Sequence, residues 1–242
     1  MTTLFISDLH LHESRPAATN AFYQFLAERA QGTEALYILG DFFDAWIGDD
    51  DDAPLNAAVA QHLRALSDQG TAVYLMHGNR DFLLGNDFAN AAGASLIVDP
   101  TLIDLYGQPT LLMHGDTLCT RDTEYLAFRQ QVRSPAWQQQ ILSQPLGARR
   151  ALAAQIRAQS KSMNSIKAED IMDVTPEEVV RVMQAHGVRQ LIHGHTHRPA
   201  RHPLTIDGMA AERIVLGDWH DSAWCIYADA SGLELRHWPM TV

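Results

Sequence analysis

Residues 3–12 read TLFISDLHLH: an unbroken run from Thr3 to Ile6, then Ser7, then Asp8 and His10 two positions apart. A short, continuous apolar run without polar alternation is the pattern of a strand covered on both faces, as in a parallel sheet flanked by helices. On an extended segment, residues two apart project roughly the same way, so Asp8 and His10 are poised to act together where that strand ends. The same construction recurs four times, as ALYILGDFFD at 35–44, AVYLMHGNRD at 72–81, TLLMHGD at 110–116 and QLIHGHTH at 190–197. In each case an apolar run stops at a cluster of Asp, Asn or His.

Between these runs lie helical spacings at Ala17 to Ala30 and Leu55 to Ser67, each followed by glycine and a further strand run. That succession predicts an α/β fold with βαβ units. Beyond Pro203, closely spaced strand candidates at Arg213 to Leu216, Ala223 to Ala228 and Leu233 to Trp238, with a turn at Asp229 to Gly232, predict an antiparallel second sheet. Residues 118–172 lack strand-like runs and carry apolar residues at helical spacing, among them Tyr125, Phe128, Val132, Leu152 and Ile156, so they read as a helical lid or insertion within a single domain over 1–242. This insertion holds eight basic and four acidic residues, a local balance of +4 in a chain of −11. No internal repeat is visible, and Asp49 to Asp52 read as a solvated loop.

With a net charge of −11, the chain is a poor candidate for a sequence-independent nucleic-acid binder, which needs a basic surface to displace counterions. Cys119 and Cys225 are far apart and show no CxxC spacing, so neither a disulfide framework nor a thiolate zinc site is predicted, and a reducing cytoplasm is the default. The N-terminus turns acidic and histidine-rich after one short apolar run, unlike a signal peptide, and no apolar stretch approaches the roughly 20 residues of a membrane span.

The chemistry is carried by Asp8, His10, Asp41, Asn79, His114, His195 and His197. Loops at the carboxyl ends of strands converge on one crevice in open α/β sheets, so these scattered residues can share a site. Carboxylate, amide and imidazole without thiolate suit a divalent ion such as Mn²⁺, Mg²⁺, Fe²⁺ or Zn²⁺. Seven ligands exceed the need of one ion, and a carboxylate such as Asp41 could bridge two ions about 3.5–4 Å apart. The reading is a two-metal phosphoesterase.

In its order DxH, GDxxD, GN, lone His and GHxH, the chain resembles the calcineurin-like metallophosphoesterases over Asp8 to His197. The resemblance implies an α/β sandwich of two β-sheets flanked by helices. It also implies that Asp8, His10 and His197 hold one metal, that Asn79, His114 and His195 hold the other, and that Asp41 bridges them. Where most of that family has GNH, this chain has Arg80. A guanidinium with pKa above about 12 cannot protonate an alkoxide leaving group, but it stabilises a leaving phosphate through planar, bidentate hydrogen bonds. Arg80 therefore points to a phosphoanhydride substrate.

GNRDF, DFFDAWIGDD, HGDTLCTRD and the basic insertion further resemble the UDP-2,3-diacylglucosamine pyrophosphohydrolases of lipid A biosynthesis. In that family water attacks the α-phosphate, releasing UMP and 2,3-diacylglucosamine 1-phosphate, usually with Mn²⁺. The resemblance implies two Mn²⁺ ions and a lipid-linked nucleotide substrate. It places substrate contacts at Asn79, Arg80, Asp122, Ser160, Asn164, Lys167 and His195, with Asp41, Asn79, Arg80 and His195 catalytic. Arg157, one turn before Ser160, is a further phosphate contact by helical spacing. The expected location is the cytoplasmic face of the inner membrane, attached peripherally, with no protein partner. Two rivals are a dinuclear phosphoesterase for a soluble nucleotide or phosphate ester, and a non-catalytic scaffold on the same fold. The duller readings make Asp44, Asp81 and Asp116 local hydrogen-bonders, His77 and His193 orienting neighbours, and Tyr125, Trp46 and Trp137 packing residues.

Overall fold

The computed structural model describes residues 1–164 and 171–240. Strands β1 (Thr3–Ile6), β2 (Ala35–Leu39), β3 (Ala72–Met76) and β4 (Ala94–Ile97) lie parallel in that order, linked by α1 (Pro16–Phe25), α2 (Pro54–Asp68) and α3 (Asn86–Ala91). α1 continues as a π-helical turn to Ala30, so helical backbone spans the predicted Ala17 to Ala30. The second sheet runs β5 (Thr101–Leu105), β6 (Gln108–Leu112), β7 (Gln190–His193), β9 (Met209–Val215) and β8 (Ala200–Ile206), with β6, β7 and β9 mutually parallel. Helices α4 (Thr123–Val132), α5 (Pro135–Leu142) and α6 (Leu146–Asn164) fill the stretch between β6 and α7 (Pro176–Ala185).

Strand period and burial together explain the layering. In β1, Leu4 and Ile6 join the cluster under α1 and α2, whereas Phe5, pointing the other way, meets Leu112, Ile192 and Ile214 from the second sheet. Leu111 and Leu191 pack on the outer face against Val179, Val182 and Met183 of α7. The order is helix, sheet, sheet, helix, so every central strand is covered twice and its sequence reads as an apolar run.

The C-terminal strands are placed differently from the expectation. The hairpin of β10 (Ser222–Asp229) and β11 (Gly232–Pro239) joins the first sheet, with β10 antiparallel to β1, so the tail does not form a sheet of its own. Its alternation fits both layers: Ala223 and Cys225 enter the helix-side cluster, and Ile226 and Ala228 enter the inter-sheet core. Pro203, taken as a break, sits inside β8, an edge strand where a missing N–H leaves no ladder bond unmade.

Helices α4 to α6 carry a basic surplus, and its use is visible in the contacts. Arg129 Nε donates to Asp116 at 2.7 Å, Arg133 Nη2 to the Gly78 carbonyl at 2.8 Å, and Arg149 Nη1 to the Ile47 carbonyl at 2.7 Å. Arg149 also pairs with Asp50, Arg150 with Asp51 and Asp52, and Arg157 with Asp44. Arg149 is only 4% exposed, so it is no solvated-face residue. The aspartate run is likewise not a bare solvated loop. Asp49 accepts from the Gly85 and Phe88 amides at the start of α3 and from Trp46 Nε1, while its neighbours grip α6.

Candidate metal centre

The cluster is built where parallel strands end. Asp8 follows β1, Asp41 follows β2, Asn79 follows β3, His114 follows β6, and His195 and His197 follow β7. Five of these residues, Asp8 (φ 56°), His10 (49°), Asp41 (49°), His195 (68°) and His197 (55°), adopt the left-handed region. That conformation is uncommon outside glycine and costs on the order of 1–3 kcal/mol per residue, so it persists only where surroundings impose it. Here hydrogen bonds impose it. The Asp8 amide donates to Gly40 O (3.1 Å), His10 to Asp41 O (3.0 Å) and Leu11 to Phe42 O (2.9 Å), zipping the first two motif loops together. Gly78 and Gly194 are required by close approach: a Cβ on the first would overlap Asp41, and on the second the Asp8 carboxylate.

The donor atoms converge. His10 Nε2 lies 3.2 Å from His197 Nε2, and Asn79 Oδ1 lies 2.9 Å from His114 Nε2 and 2.8 Å from His195 Nδ1. His114 Nδ1 donates to Leu39 O (2.9 Å), which leaves the Nε2 lone pair as the ligand atom on the Asp41 side, 3.8 Å from Oδ1. Ligand atoms of Asp8, His10 and His197, and separately of Asp8, Asp41 and His114, lie within 4.8 Å of one another. Among the described residues His10 Nδ1 is buried without a hydrogen-bond partner, and Asp8 Oδ1 is buried with only His197 Nε2 near it, at 3.3 Å, an arrangement costly for a protein alone and suited to a cation. The residues present therefore fit divalent ions.

Without ions present, burial and mutual charge set the protonation of these groups. Burial would raise Asp8, yet the hydrogen bond and charge of His197, with His114 and His10 beyond, hold it well below the carboxylate range. Burial pushes His10 well down, and burial reinforced by the His114 charge brings His195 down to about 4, so both imidazoles are neutral donors. Burial raises Asp41 against the pull of His114. His114 itself would be lowered by burial, but Asp41, Asp8 and Asp116 carry it up to about 9. Neighbours complete the geometry. Asp81 accepts from the Gly78 and Phe42 amides at 2.7 Å each, tying the GNRD loop to the GDFFD loop. His193 accepts from Arg213 at Nε2 (3.1 Å) and donates from Nδ1 to Gly194 O (2.8 Å).

A cleft of about 560 Å³ opens beside this cluster. Its lining combines polar residues, among them Asp41, Asn79, Arg80, His195 and His197, with apolar ones, Phe82, Phe128, Trp137, Ile141, Leu152 and Ile156, from the GNRD loop and α4 to α6. Asp122, Arg157 and Ser160 also line it. The Asn164 side chain and all of Lys167 lie outside the described residues. Arg80 Nε is 3.6 Å from Asp41 Oδ2, and its Nη1 is 3.4 Å from Asp44 Oδ1. Asp122 also caps α4, accepting from the Tyr125 amide at 3.1 Å.

Two neighbours were missed or undervalued from sequence. Asp218, whose Oδ2 is 3.6 Å from His197 Nδ1, follows β9 in LGDWH, the same Gly-Asp signature behind a strand that marks Asp41. Tyr125 is more than packing: its ring is 6.2 Å from that of His195, and its hydroxyl donates to Asp116.

A sequence model described as calcineurin-like phosphoesterase matches residues 1–199. Proteins named UDP-2,3-diacylglucosamine hydrolase are 68% identical in Cellvibrio japonicus, over 98% of this chain and 99% of that one, and 58% identical in Marinobacter nauticus, over 99% of each. The protein of that name from Pseudomonas aeruginosa (strain UCBPP-PA14) is 56% identical over 99% of this chain and 100% of its own.

Proposed function

Since the chain belongs to the calcineurin-like phosphoesterase family, we propose that it hydrolyses the pyrophosphate bond of UDP-2,3-diacylglucosamine, giving UMP and 2,3-diacylglucosamine 1-phosphate. The observation that carries the reading is one cleft with two kinds of lining: a metal-competent set joined by Arg80, and aromatic and aliphatic side chains from α4 to α6. The first suits a diphosphate and the second suits acyl chains. Two divalent ions, Mn²⁺ in this proposal, held by Asp8, His10, Asp41, Asn79, His114, His195 and His197, would supply Lewis-acid stabilisation of phosphoryl charge and activation of water.

The chain's own residues do the rest. Arg80 presents a fixed positive charge to the diphosphate and keeps its protons, so it stabilises a departing phosphate without acting as an acid. Asn79 and His195, 2.8 Å apart, fix one edge of the reacting phosphate. Asp122, Arg157 and Ser160 contact the sugar phosphate from above, and Asn164 and Lys167 are assigned the same role. Helices α4 to α6 act as the lid that excludes water from the acyl chains. No helix among the described residues is long and apolar enough to cross a membrane. The enzyme is proposed to work peripherally on the cytoplasmic face of the inner membrane, where a diacylated substrate presents its headgroup. Mn²⁺-dependent UMP release from UDP-2,3-diacylglucosamine tests the assignment: Arg80→His and Asn79→Ala should each lose at least about tenfold, and equal activity in all three proteins would refute it.

A further inference from the structure

Asp44 closes the GDFFD motif three residues after Asp41, is 6% exposed, and holds two cations from opposite sides of the cleft. Its Oδ1 is 3.4 Å from Arg80 Nη1 in the GNRD loop, and its Oδ2 pairs with Arg157 Nη1 on α6. With Arg80 Nε 3.6 Å from Asp41 Oδ2, an alternating row of charges runs from the metal set to the lid helix: Asp41, Arg80, Asp44, Arg157. Two guanidiniums this close repel unless an anion lies between them. Each is held through Nη1, and with the Arg80 and Arg157 side chains 30% and 41% exposed both guanidiniums remain accessible from the cleft. Docking of α6 has its own attachments, since Arg149 and Arg150 hold Asp50, Asp51 and Asp52 elsewhere.

We propose that Asp44 is a positioning residue that holds Arg80 and Arg157 as a preformed cationic pair, one from the core and one from the lid, for the phosphates of the substrate. This rests on the lipid-linked nucleotide reading above. In this role Asp44 makes no contact with the attacking water or the reacting phosphorus. It acts by fixing where two positive charges stand before substrate arrives, so its loss should fall on turnover more than on binding.

The test is a double-mutant cycle of Asp44→Asn and Arg157→Ala, with kcat, KM and Mn²⁺ affinity measured for each protein. Asp44→Asn should lower kcat by about 10- to 100-fold, shift KM by no more than about threefold, and leave calorimetric Mn²⁺ affinity unchanged. The loss in the double variant should fall short of the product of the two single losses by at least about threefold, because both substitutions remove the Asp44–Arg157 pairing. Asp44→Glu should recover part of kcat, and it serves in the cycle if the Asn variant does not fold. A raised KM with unchanged kcat, strictly multiplicative effects, or a tenfold loss of Mn²⁺ affinity would overturn the proposal. So would Arg150→Ala reproducing the Asp44→Asn profile, since it loosens α6 without touching Asp44. Failure of the substrate assignment is read separately: wild type would leave the lipid nucleotide uncleaved, and the cycle would be run, with the same criteria, on the nucleoside diphosphate or bis(p-nitrophenyl) phosphate that it does cleave.

Discussion

Asp116 offers the sharpest energetic test, because its charge is met through a single oxygen. The residue is fully buried, Oδ2 receives both the Tyr125 hydroxyl and Arg129 Nε (2.7 Å), and Oδ1 has no partner among the described residues. Arg129→Met keeps the aliphatic packing of α4 and removes the charge. Breaking a buried ion pair costs about 3–5 kcal/mol when the surviving charge is stranded. The Arg129 side chain is 22% exposed, so water already screens part of this pair, and Tyr125 still donates. An expected loss of about 2 kcal/mol follows. The pH dependence has a definite sign. Burial would raise Asp116, but the charges of His114 and Arg129 hold it well below its ordinary value of 3.8. Its contribution is therefore present above 3.8 and is lost as the pH falls through the depressed folded value. The gap between wild type and Arg129→Met should be full at pH 7 and narrow as the pH falls from 4 to 3. Urea unfolding at fixed Mn²⁺ concentration measures it, with Tyr125→Phe completing a cycle whose coupling should exceed about 0.5 kcal/mol. A loss under about 0.5 kcal/mol at pH 7, or a gap that widens on acidification, would refute the reasoning.

Other outcomes follow from the same contacts. Burial, helped by the Arg213 charge, takes His193 down to about 3, so its neutral state adds stability above pH 6.5 that is lost between 6.5 and 3. His193→Gln should flatten up to about 1.36 kcal/mol per pH unit of that acid-side slope, and thermal melts across this range check it. Asp218→Asn should weaken Mn²⁺ binding by about 10- to 100-fold, because the carboxylate beside His197 Nδ1 orients that ring; calorimetry with unchanged affinity would count against the role. Gly194→Ala should abolish Mn²⁺ binding at micromolar concentration while leaving far-ultraviolet circular dichroism native, because the atoms nearest the new methyl belong to the Asp8 carboxylate and the Ser7 side chain.

What was legible in the sequence is what burial writes into it. β1, β2, β3, β6 and β7 carry apolar runs because both of their faces are covered, and the ligands follow because such strands stop where the backbone meets the cleft. β4 and β5 were not foreseen. They are partly exposed edge strands, in which Val98 just beyond β4 and Leu102 within β5 face solvent, so their pattern resembles a loop. The β10–β11 hairpin was visible as strands, but its sheet was not, because alternation fits either sheet and only the pairing with β1 decides. In the cleft, the ligand types could be read one at a time. Asp44, Asp116 and the aspartates after Asp49 could not, because their partners Arg157, Arg129, Arg149 and Arg150 lie up to about a hundred residues away and charge pairing leaves no periodic trace. The +4 surplus of the insertion proves to be in large part an attachment to an acidic core.

The placement of β1 between β2 and β10 has a consequence for the order in which a growing chain can finish this molecule. Asp8 and His10 are synthesised well before residues 222–229, yet the strand that carries them is closed on one side only by those residues, and the Asp8 carbonyl is bound by the Trp219 amide. A nascent chain that has emerged only as far as β9 holds all seven candidate ligands but leaves an unpaired sheet edge beside two of them. Such a chain is the species most exposed to strand addition by a neighbour. The edge beside Asp8 and His10 is therefore closed by one of the longest-range pairings in the fold, that of β1 with residues 222–229.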